Sequence, residues 1–144
     1  MIEMATTDAR QTNLGIAKRV SLELWGDGDI TVIDDCYAED CVVHMGNDTY
    51  EGRDAYREAV AGMMGDGDVT VTLDDVFAVD DRVVSRYSFG GTHDSEMMGI
   101  PATGKSFASS GINILRFEDG RIVEEWDQSD NLGMLQQLGV VPEQ

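Results

Sequence analysis

The N-terminal part of the chain alternates helical periodicity with glycine-rich breaks. Over residues 7–25, apolar side chains recur every three or four positions, which is the spacing of an amphipathic helix that buries one face. The GDGD sequence that follows supplies glycines to end this helix. The same reasoning predicts a short helix over residues 30–37 and a short strand over residues 41–45.

A third helix is predicted after Gly52, within the run EGRDAYREAVAGMMGDGD. Ala55, Ala59 and Met63 share one face of this helix, and the glycines at the end of the run stop it. The first half of the chain is therefore predicted to be mainly helical.

After residue 68 the pattern becomes that of strands. Residues 69–93 and residues 106–130 are rich in β-branched and aromatic residues, and each segment has a turn signal in its middle. Each segment is therefore typical of two long antiparallel strands joined by a tight turn. A last short helix is predicted over residues 131–138. Helices followed by a meander predict an α+β fold in which the helices pack on one face of a curved sheet.

Apolar residues occupy both faces of the strand that begins near Ser106. The helices can cover only one face, so we expect a second copy of the chain to bury the other, in a homodimer or a higher homo-oligomer. In the preceding strand, Gly90 and Gly91 predict a β-bulge that sharpens the curvature and opens a pocket on the concave side. The two apolar sets are Phe107, Leu115 and Phe117 on one face, and Ala108, Ile112 and Ile114 on the other.

The length and composition fit one domain over residues 1–144. Of the 144 residues, 42% are hydrophobic and 26% are charged, which is enough apolar surface for a buried core. No apolar run approaches the roughly 20 residues that a membrane-spanning helix needs, and the first residues lack the basic and apolar regions of a secretion signal. We therefore expect a cytoplasmic protein that does not enter a membrane.

The charge is strongly acidic. The chain has 28 Asp and Glu residues against 10 Lys and Arg residues, for a formal net charge of −18. Such a chain repels polyanions, so we expect neither nucleic acid nor an anionic membrane as a partner. The excess of Asp, with eight Arg and only two Lys, favours adaptation to high salt, as in a halophilic archaeon, because molar salt screens the self-repulsion. An ordinary acidic protein is the alternative.

One motif resembles a phosphate-binding loop. Residues 99–106, GIPATGKS, satisfy the pattern G-x-x-x-x-G-K-S. That loop works at the start of a helix that follows a buried parallel strand, whereas here a strand-like sequence, FASSGINIL, comes next. We therefore predict a loop between two strands and no nucleotide site.

The cysteines and histidines give no clear metal or nucleophile motif. Cys36 and Cys41 have neither the CxxC spacing nor a downstream histidine pair, so we expect buried free thiols and no zinc. Neither thiol has an activating partner in the sequence. His44, His93 and Asp127 form a conceivable metal set that no spacing demands, and we expect no metal and no cofactor.

The segment EEWDQSDN places Asp127 near the end of the last strand. If the strand is regular, Glu125 and Ser129 share its face, while Trp126 points the other way; parity alone does not say which face lines a cavity. Desolvation in a partly apolar pocket would raise the pKa of this Asp and let it exchange protons near neutrality. The alternative is a solvated Asp on an acidic surface.

The C-terminal third resembles the SnoaL-like polyketide cyclase family, whose members are often labelled ester cyclases. The resemblance rests on GTH followed by the MGIPATGK loop, on the FEDGRIVEEWD hairpin and on the closing MLQQLG helix. GDGDITVIDDCYAEDCVVH and EGRDAYREAV resemble the family's first half more loosely. The resemblance implies the cone-shaped α+β barrel of the nuclear transport factor 2-like superfamily, in which N-terminal helices pack on a strongly curved, mixed but mainly antiparallel sheet and enclose a cavity.

The resemblance also implies a chemistry. In that family an Asp on the last strand is the acid and base of an intramolecular aldol closure of a polyketide methyl ester, without metal or cofactor, and Asp127 matches this position. A polar residue 14 positions earlier pairs with it; some members have His there, and this chain has Asn113. An Asn orients a carboxylate by hydrogen bonding but cannot share its proton.

Two functions stay open at this point. One is a cofactor-free enzyme with Asp127 as general acid and base on a small apolar carbonyl or ester compound, and the other is a domain that binds such a compound unchanged.

The loop over residues 94–106 is longer than most hairpin connections, and its Met97, Met98, Ile100 and Pro101 are predicted to form a cavity wall or to pack on a partner subunit. The candidate pocket residues are His93, His44, Asn113, Trp25, Trp126, Met97 and Met98.

Overall fold

The helices lie where the sequence predicts them. The computed structural model describes residues 2–65 and 69–142. Helix α1 spans Ile2–Arg19 and continues as a π-helical segment over Val20–Gly26, so the first helix begins earlier than predicted. The other helices are α2 (Thr31–Cys36), α3 (Arg53–Met63) and α4 (Asn131–Gln137).

Six strands form one open, mixed sheet in the order β2-β1-β6-β5-β4-β3. Neighbouring strands are antiparallel, except that β1 and β6 run parallel. The four long strands β3 to β6 are the predicted hairpins, which confirms the α+β class. The strands are β1 (Tyr37–Met45), β2 (Asp48–Glu51), β3 (Val69–Val79), β4 (Arg82–Thr92), β5 (Ser106–Glu118) and β6 (Arg121–Ser129).

Strand β1 is longer than predicted, and β2 is an element that the sequence did not reveal. The four residues of β2 read DTYE, which is too short and too polar to show an apolar alternation. A tight turn at Gly46, with a φ of 60°, folds β2 back on β1. Strands β1 and β2 widen the sheet beyond β6, and β1 pairs with the end of β6 that carries Asp127.

The main core lies between the helices and the inner face of the sheet. Helix α3 contributes Tyr56 and Val60, both fully buried, whereas Ala55 is exposed, so the buried face of α3 is one position away from the predicted Ala55, Ala59 and Met63. The aromatic ring of a Tyr covers more apolar area than an Ala, which explains the rotation. The other buried members are Ala17, Val20, Leu24, Val32, Ile33, Cys36, Tyr37, Cys41, Val43, Val83, Leu115, Phe117 and Ile122.

A second, smaller apolar cluster lies at the other end of the inner face. Phe107 of β5 packs there against Met134 and Leu138 of the C-terminal helical region, and Met97 and Met98 border it. The two clusters are separated by a cavity. The helices therefore close one end of the inner face, and α4 with the loop between β4 and β5 closes the other.

The outer face of the sheet carries apolar side chains that the described helices leave uncovered, as the strand parity predicts. Phe107, Leu115 and Phe117 are buried on the inner face, while Ile112 on the outer face is 51% exposed. Strand pairing aligns an outer row across five strands. The row consists of Phe77, Val84, Ile114, Trp126 and His44.

The predicted bulge at Gly90 and Gly91 is wrong. Both glycines pair in regular register, Gly90 with Ala108 and Gly91 with Phe107. The register shifts of the sheet occur elsewhere, for example between Leu73 and Asp75. Gly90 serves close approach instead, because a Cβ atom there would lie 2.8 Å from the backbone oxygen of Phe107.

The GIPATGKS segment is a loop, as predicted. Met97 and Ile100 form an isolated bridge around a turn in which Met98 and Gly99 have positive φ. Lys105 leads directly into β5, so no helix N-terminus is available to hold a phosphate. Among the described helices, none is long and apolar enough to cross a membrane.

Both cysteines are buried free thiols, as predicted. Burial raises the pKa of Cys41 to about 11 and also raises that of Cys36, although Arg19 opposes the shift at Cys36. A thiol with a raised pKa is a poor nucleophile at neutral pH. Neither cysteine is therefore a candidate for covalent chemistry.

Candidate active site

The cavity between the two apolar clusters has a volume of about 650 Å³. It lies against the inner face of the sheet and is closed by the π-helical end of α1, the end of α3, α4 and the β4–β5 loop. A volume of this size accepts a drug-sized organic molecule. The polar side chains that reach it are Ser21, Asp27, Tyr87, Asn113, Asp127, Ser129 and Asn131.

The rest of the lining is apolar and adaptable. Six of the chain's eight methionines line the cavity, together with aromatic rings from three elements. Methionine side chains are flexible and polarisable, so they can change conformation to pack against flat or irregular apolar ligands. The apolar lining residues are Trp25, Met45, Met63, Met64, Val69, Val71, Phe89, Met97, Met98, Phe107 and Met134.

Asp127 is the carboxyl group on the sheet side of this cavity. It is only 7% exposed and stands opposite Asn113 of β5 in the strand register. Tyr87 of β4 donates a hydrogen bond of 2.6 Å to its Oδ1 atom. The Oδ1 atom of Asn113 is buried without a hydrogen-bond partner among the described residues. The neighbouring strands β4, β5 and β6 thus bring a phenol, an amide and a carboxyl group to the same part of the cavity wall.

The surroundings of Asp127 favour its neutral form. Burial is the largest effect and raises the pKa of Asp127 to about 6, although the hydrogen bond from Tyr87 works in the opposite direction. The pKa of Tyr87 is itself raised, by burial and by the nearby Asp127 charge. Tyr87 is therefore a hydrogen-bond donor, and Asp127 exchanges its proton close to neutral pH.

A second carboxyl, Glu125, lies deeper on the same face of β6. It is fully buried, and Tyr37 donates a hydrogen bond of 2.5 Å to its Oε1 atom. Burial foremost, and the nearby Asp127 charge after it, raise the pKa of Glu125 to about 8. The two acids of β6 are therefore coupled groups with different proton affinities.

The structure brings together most, but not all, of the predicted site residues. Trp25, Asn113, Met97 and Met98 line the cavity with Asp127. In the same loop, Ile100 is half-buried and Pro101 is exposed, so only part of the predicted apolar segment faces inward.

Two predicted pocket residues lie on the opposite face of the sheet. His44 pairs with Trp126 in the register of β1 and β6, and their rings stack at 5.6 Å between centroids. His44 Nε2 lies 2.8 Å from Glu124 Oε2, and Arg82 lies over the Trp126 ring. Because alternate residues of a strand face opposite sides, a strand that turns Asp127 inward turns Trp126 outward. Placing these two residues in the pocket was wrong.

His93 does not line the main cavity, but it lines a small pocket of about 10 Å³ beside it, together with Met97 and Phe107. It is 2% exposed and anchors the β4–β5 loop, with Nδ1 2.9 Å from the Thr103 hydroxyl and Nε2 3.2 Å from the Ile100 carbonyl oxygen. Its position at the end of β4 puts it beneath the loop and not beside Asp127. We expected His93 to line the main cavity. Instead it is a structural residue whose hydrogen bonds hold the loop that carries Met97 and Met98.

The candidate metal set is dispersed. Asp127 faces inward, His44 faces outward and His93 lies under the loop, so these three side chains do not converge. Within residues 2–65 and 69–142, no group of three or more His, Cys, Asp or Glu side chains is arranged to hold a metal ion. The polar groups of the cavity are suited to proton transfer and hydrogen bonding.

Sequence reasoning missed two of the groups that shape the site. Tyr87 lies two and four positions from the buried Ser85 and Val83, so alternation along β4 already indicates an inward direction. Glu125 was placed on the same face as Asp127 but was given no role. Its burial depends on Tyr37, 88 residues away in the chain, and no local pattern shows that contact.

The chain matches a family and several relatives. The model of the SnoaL-like polyketide cyclase family covers residues 16–138. Aklanonic acid methyl ester cyclase of Streptomyces peucetius is 37% identical over 57 residues, which are 40% of this chain and 39% of that protein. The cyclase of the same description from Streptomyces galilaeus is 39% identical over 59 residues, 41% of each chain. The matches thus span about two fifths of the length of these curated relatives.

Solved structures extend the likeness to nearly the whole chain. TsrD of Streptomyces laurentii is 29% identical, with a TM-score of 0.75 over 92% of this chain and 98% of that one. IdmH of Streptomyces antibioticus, proposed to be a polyketide cyclase, is 31% identical, with a TM-score of 0.70 over 89% and 99%. A SnoaL-like protein of Jannaschia sp. CCS1 has a TM-score of 0.82 at 20% identity and shows the shared fold alone. The expected cone-shaped α+β architecture is confirmed.

Proposed function

Since the chain belongs to the SnoaL-like polyketide cyclase family, we propose that it is a cofactor-free enzyme in which Asp127 is the general acid and base of an intramolecular aldol closure. The substrate would be a polyketide-like carbonyl compound or ester that folds inside the methionine-lined cavity. The proposal extends to this chain the chemistry that the names of its relatives describe, a methyl ester cyclisation.

The observation that carries the proposal is the position of Asp127. It is a nearly buried carboxyl at the wall of a cavity of about 650 Å³, with its pKa raised by burial to about 6. A general acid and base works best when its pKa lies near the operating pH, because both protonation states are then accessible. Asp27 also reaches the cavity, where it ends the π-helical segment and donates its backbone N–H to the carbonyl oxygen of Leu22.

The reaction needs one proton to leave and one to return. The Asp127 carboxylate removes a proton from a carbon flanked by two carbonyl groups, which leaves an enolate. The enolate carbon attacks a ketone carbon of the same molecule, so that a carbon–carbon bond forms and the ketone oxygen becomes an alkoxide. The Asp127 carboxyl then returns its proton to that alkoxide. Atoms balance within the substrate, and Asp127 ends as the carboxylate that began the cycle.

Neighbouring groups would orient the reactants. Tyr87 holds one oxygen of Asp127 by its 2.6 Å hydrogen bond and leaves the other for the substrate. The Asn113 side chain, opposite Asp127, can hydrogen-bond a substrate oxygen through its amide. The methionine-lined walls would hold the flexible chain in a folded conformation, which supplies part of the rate by proximity.

A binding domain without chemistry is the second candidate. The observation in its favour is the lining itself, because a mostly apolar cavity with few polar groups holds ligands well without reacting with them. In that case Asp127 would contribute only hydrogen bonding.

We also propose that the chain forms a homodimer through the outer face of the sheet. Phe77, Val79 and Ile112 are each about half exposed, and all three lie on this one face. The acidic side chains of this face are locally paired, for example Asp75 with Arg86 and Glu124 with Arg116. A second copy can therefore approach this face in spite of the net charge of −18. Salt adaptation and a cytoplasmic location stay predictions.

The first experiment compares Asp127→Asn with Asp130→Asn. Asp130 caps α4 by accepting a hydrogen bond from the Gly133 amide, and an Asn preserves that cap. With aklanonic acid methyl ester or a simpler β-dicarbonyl methyl ester as substrate, we expect Asp127→Asn to lose cyclisation by at least about 100-fold, a typical general acid–base contribution. Asp130→Asn should keep it. Ligand binding that persists in both variants, with no turnover by the wild type, would favour the binding domain.

A further inference from the structure

Glu125 is a buried acid whose second oxygen has no donor. Tyr37 satisfies Oε1, but Oε2 is buried with no hydrogen-bond partner among the described residues. None of the ion pairs between described residues includes Glu125. An ionised carboxylate in this position would lack both solvent and a counter-charge, which makes the charged form costly.

The groups around Glu125 offer hydrogen bonds but no positive charge. The titratable side chains that interact with it come from three neighbouring elements and from β6 itself, and each one is either neutral or an acid. The nearest acid, Asp127, is close enough to share a hydrogen bond once one of the two carboxyl groups carries a proton. The interacting side chains are Tyr37 and Cys41 of β1, Tyr56 of α3, Tyr87 of β4 and Asp127 of β6.

Two ionised carboxylates cannot donate to each other, so one proton must lie between them for the pair to be satisfied. Asp127 faces the cavity and has Tyr87 as a donor, whereas Glu125 lies deeper and is fully buried. The proton is therefore held at the deeper site. We propose that Glu125 is a positioning residue that keeps a proton beside Asp127 and so maintains Asp127 as the carboxylate that faces the substrate.

This inference rests on the proposed function, because a base is needed only if Asp127 removes a proton. A neutral Glu125 can donate its hydroxyl to Asp127 and stabilise the carboxylate before the reaction. Loss of the Glu125 proton would add a second negative charge beside the enolate and the alkoxide, where negative charge develops. Turnover should therefore decline when Glu125 ionises.

The protonation of Glu125 is measured first, without any substrate. Carboxyl ¹³C NMR of protein labelled at the glutamate side chains gives one resonance that Glu125→Gln removes. We expect that resonance to titrate near pH 8, well above those of the other glutamates. Asp127→Asn should move its midpoint to lower pH, because the neighbouring charge is gone, and Tyr37→Phe should move it to higher pH, because a donor to the ionised form is lost.

The control is Glu124→Gln, a change of the same kind one position away. Glu124 lies on the outer face with Arg116 and His44, so it should leave the Glu125 midpoint unchanged. If Glu125→Gln does not fold, the opposite shifts in Asp127→Asn and Tyr37→Phe identify the resonance. A glutamate at this site that titrates with the others at pH 4 to 5 overturns the inference.

The pH dependence of kcat/KM supplies the functional measurement. We expect a bell-shaped profile in the wild type, with an acid limb near 6 from Asp127 and an alkaline limb near 8 from Glu125. Glu125→Gln should keep the acid limb and lose the alkaline one, and Glu124→Gln should keep both. An unchanged alkaline limb in Glu125→Gln contradicts the role of Glu125. If no substrate turns over at all, the proposed function fails, and the NMR titration still decides where the proton lies.

Discussion

Asp127 and Glu125 lie two positions apart on one face of β6, yet their surroundings differ. Asp127 borders the cavity and accepts a hydrogen bond from Tyr87, whereas Glu125 is enclosed by core side chains. Burial raises both pKa values, and it raises that of Glu125 further. Pairs of acids whose environments separate their proton affinities are typical of sites that need one group charged and one neutral.

The raised pKa of Asp127 predicts a gain in stability when its charge is removed. The unfolded carboxyl loses its proton near pH 3.8 and the folded one near 6, so between these values the unfolded state binds fewer protons. The free energy of unfolding therefore falls as the pH rises from about 4 to 6. A pKa difference of one unit between the folded and unfolded states corresponds to about 1.4 kcal/mol of stability. We therefore expect Asp127→Asn to be about 1–3 kcal/mol more stable than the wild type at pH 8.

The check is chemical denaturation of both proteins at pH 4 and pH 8, in the same high-salt buffer. At pH 4 the folded wild-type side chain is already neutral, so the two proteins should differ little. A variant that unfolds at lower denaturant than the wild type at pH 8 would show that the Asp127 charge supports the fold.

The sequence indicated which residues share a face with Asp127, but it did not place the histidines. Alternation along β6 groups Asp127 with Glu125 on one face, and the structure confirms this grouping. His44 and His93 were chosen for their chemistry, and the positions of both depend on contacts between distant segments. His44 faces outward because β1 runs parallel to β6 in a fixed register. Local periodicity cannot show such a pairing.

At the scale of elements, the close pairing of β4 and β5 supports the cavity wall. Both strands contribute cavity-lining residues, and they pair without interruption from Arg82 to Thr92. The sequence predicted these long hairpins well because their turns and alternation are local features. Gly90 and Gly91 were predicted to form a bulge because a glycine within a strand is consistent with either a bulge or a close approach of another backbone.

Gly90→Ala tests this interpretation of the strand pair. The new Cβ atom would meet the backbone oxygen of Phe107 at 2.8 Å, and backbone cannot move aside as a side chain can. We expect a loss of about 1–3 kcal/mol in the free energy of unfolding, a typical cost of overpacking. Gly62→Ala in α3 is the control: apart from its chain neighbours and the backbone of its own helix, no atom lies within 4 Å of its Cβ position. Alanine also favours a helix, so stability should rise by up to about 1 kcal/mol. Equal effects of the two changes would contradict the close approach at Gly90.

At the scale of the whole molecule, the outer face is the feature that one chain leaves unexplained. Strand parity in the sequence predicted that apolar residues would lie on both faces, and the structure confirms it. The helices cover only the inner face. With a net charge of −18, copies repel one another in dilute buffer, so association is expected to strengthen as salt screens that repulsion.

Ile114→Asp tests the proposed dimer. Ile114 lies in the middle of the outer row, between Val84 and Trp126, so a charge there would be buried without a partner at the contact. Sedimentation in high salt should give a dimer for the wild type and a monomer for Ile114→Asp. Ala61→Asp adds the same charge at an exposed position of α3 and should stay a dimer. A wild type that sediments as a monomer in high salt contradicts the proposal.

The central claim, that Asp127 takes a proton from a carbon acid, is tested most directly by following that proton. In deuterated buffer, the wild type should exchange the hydrogen between the two carbonyls of a β-dicarbonyl ester that has no ketone within reach for ring closure. This experiment isolates proton removal from cyclisation, so a wrong choice of cyclisation substrate does not affect it. The account predicts exchange by the wild type that rises through pH 6, and exchange at the uncatalysed rate with Asp127→Asn. Exchange by Asp127→Asn as fast as by the wild type would contradict it.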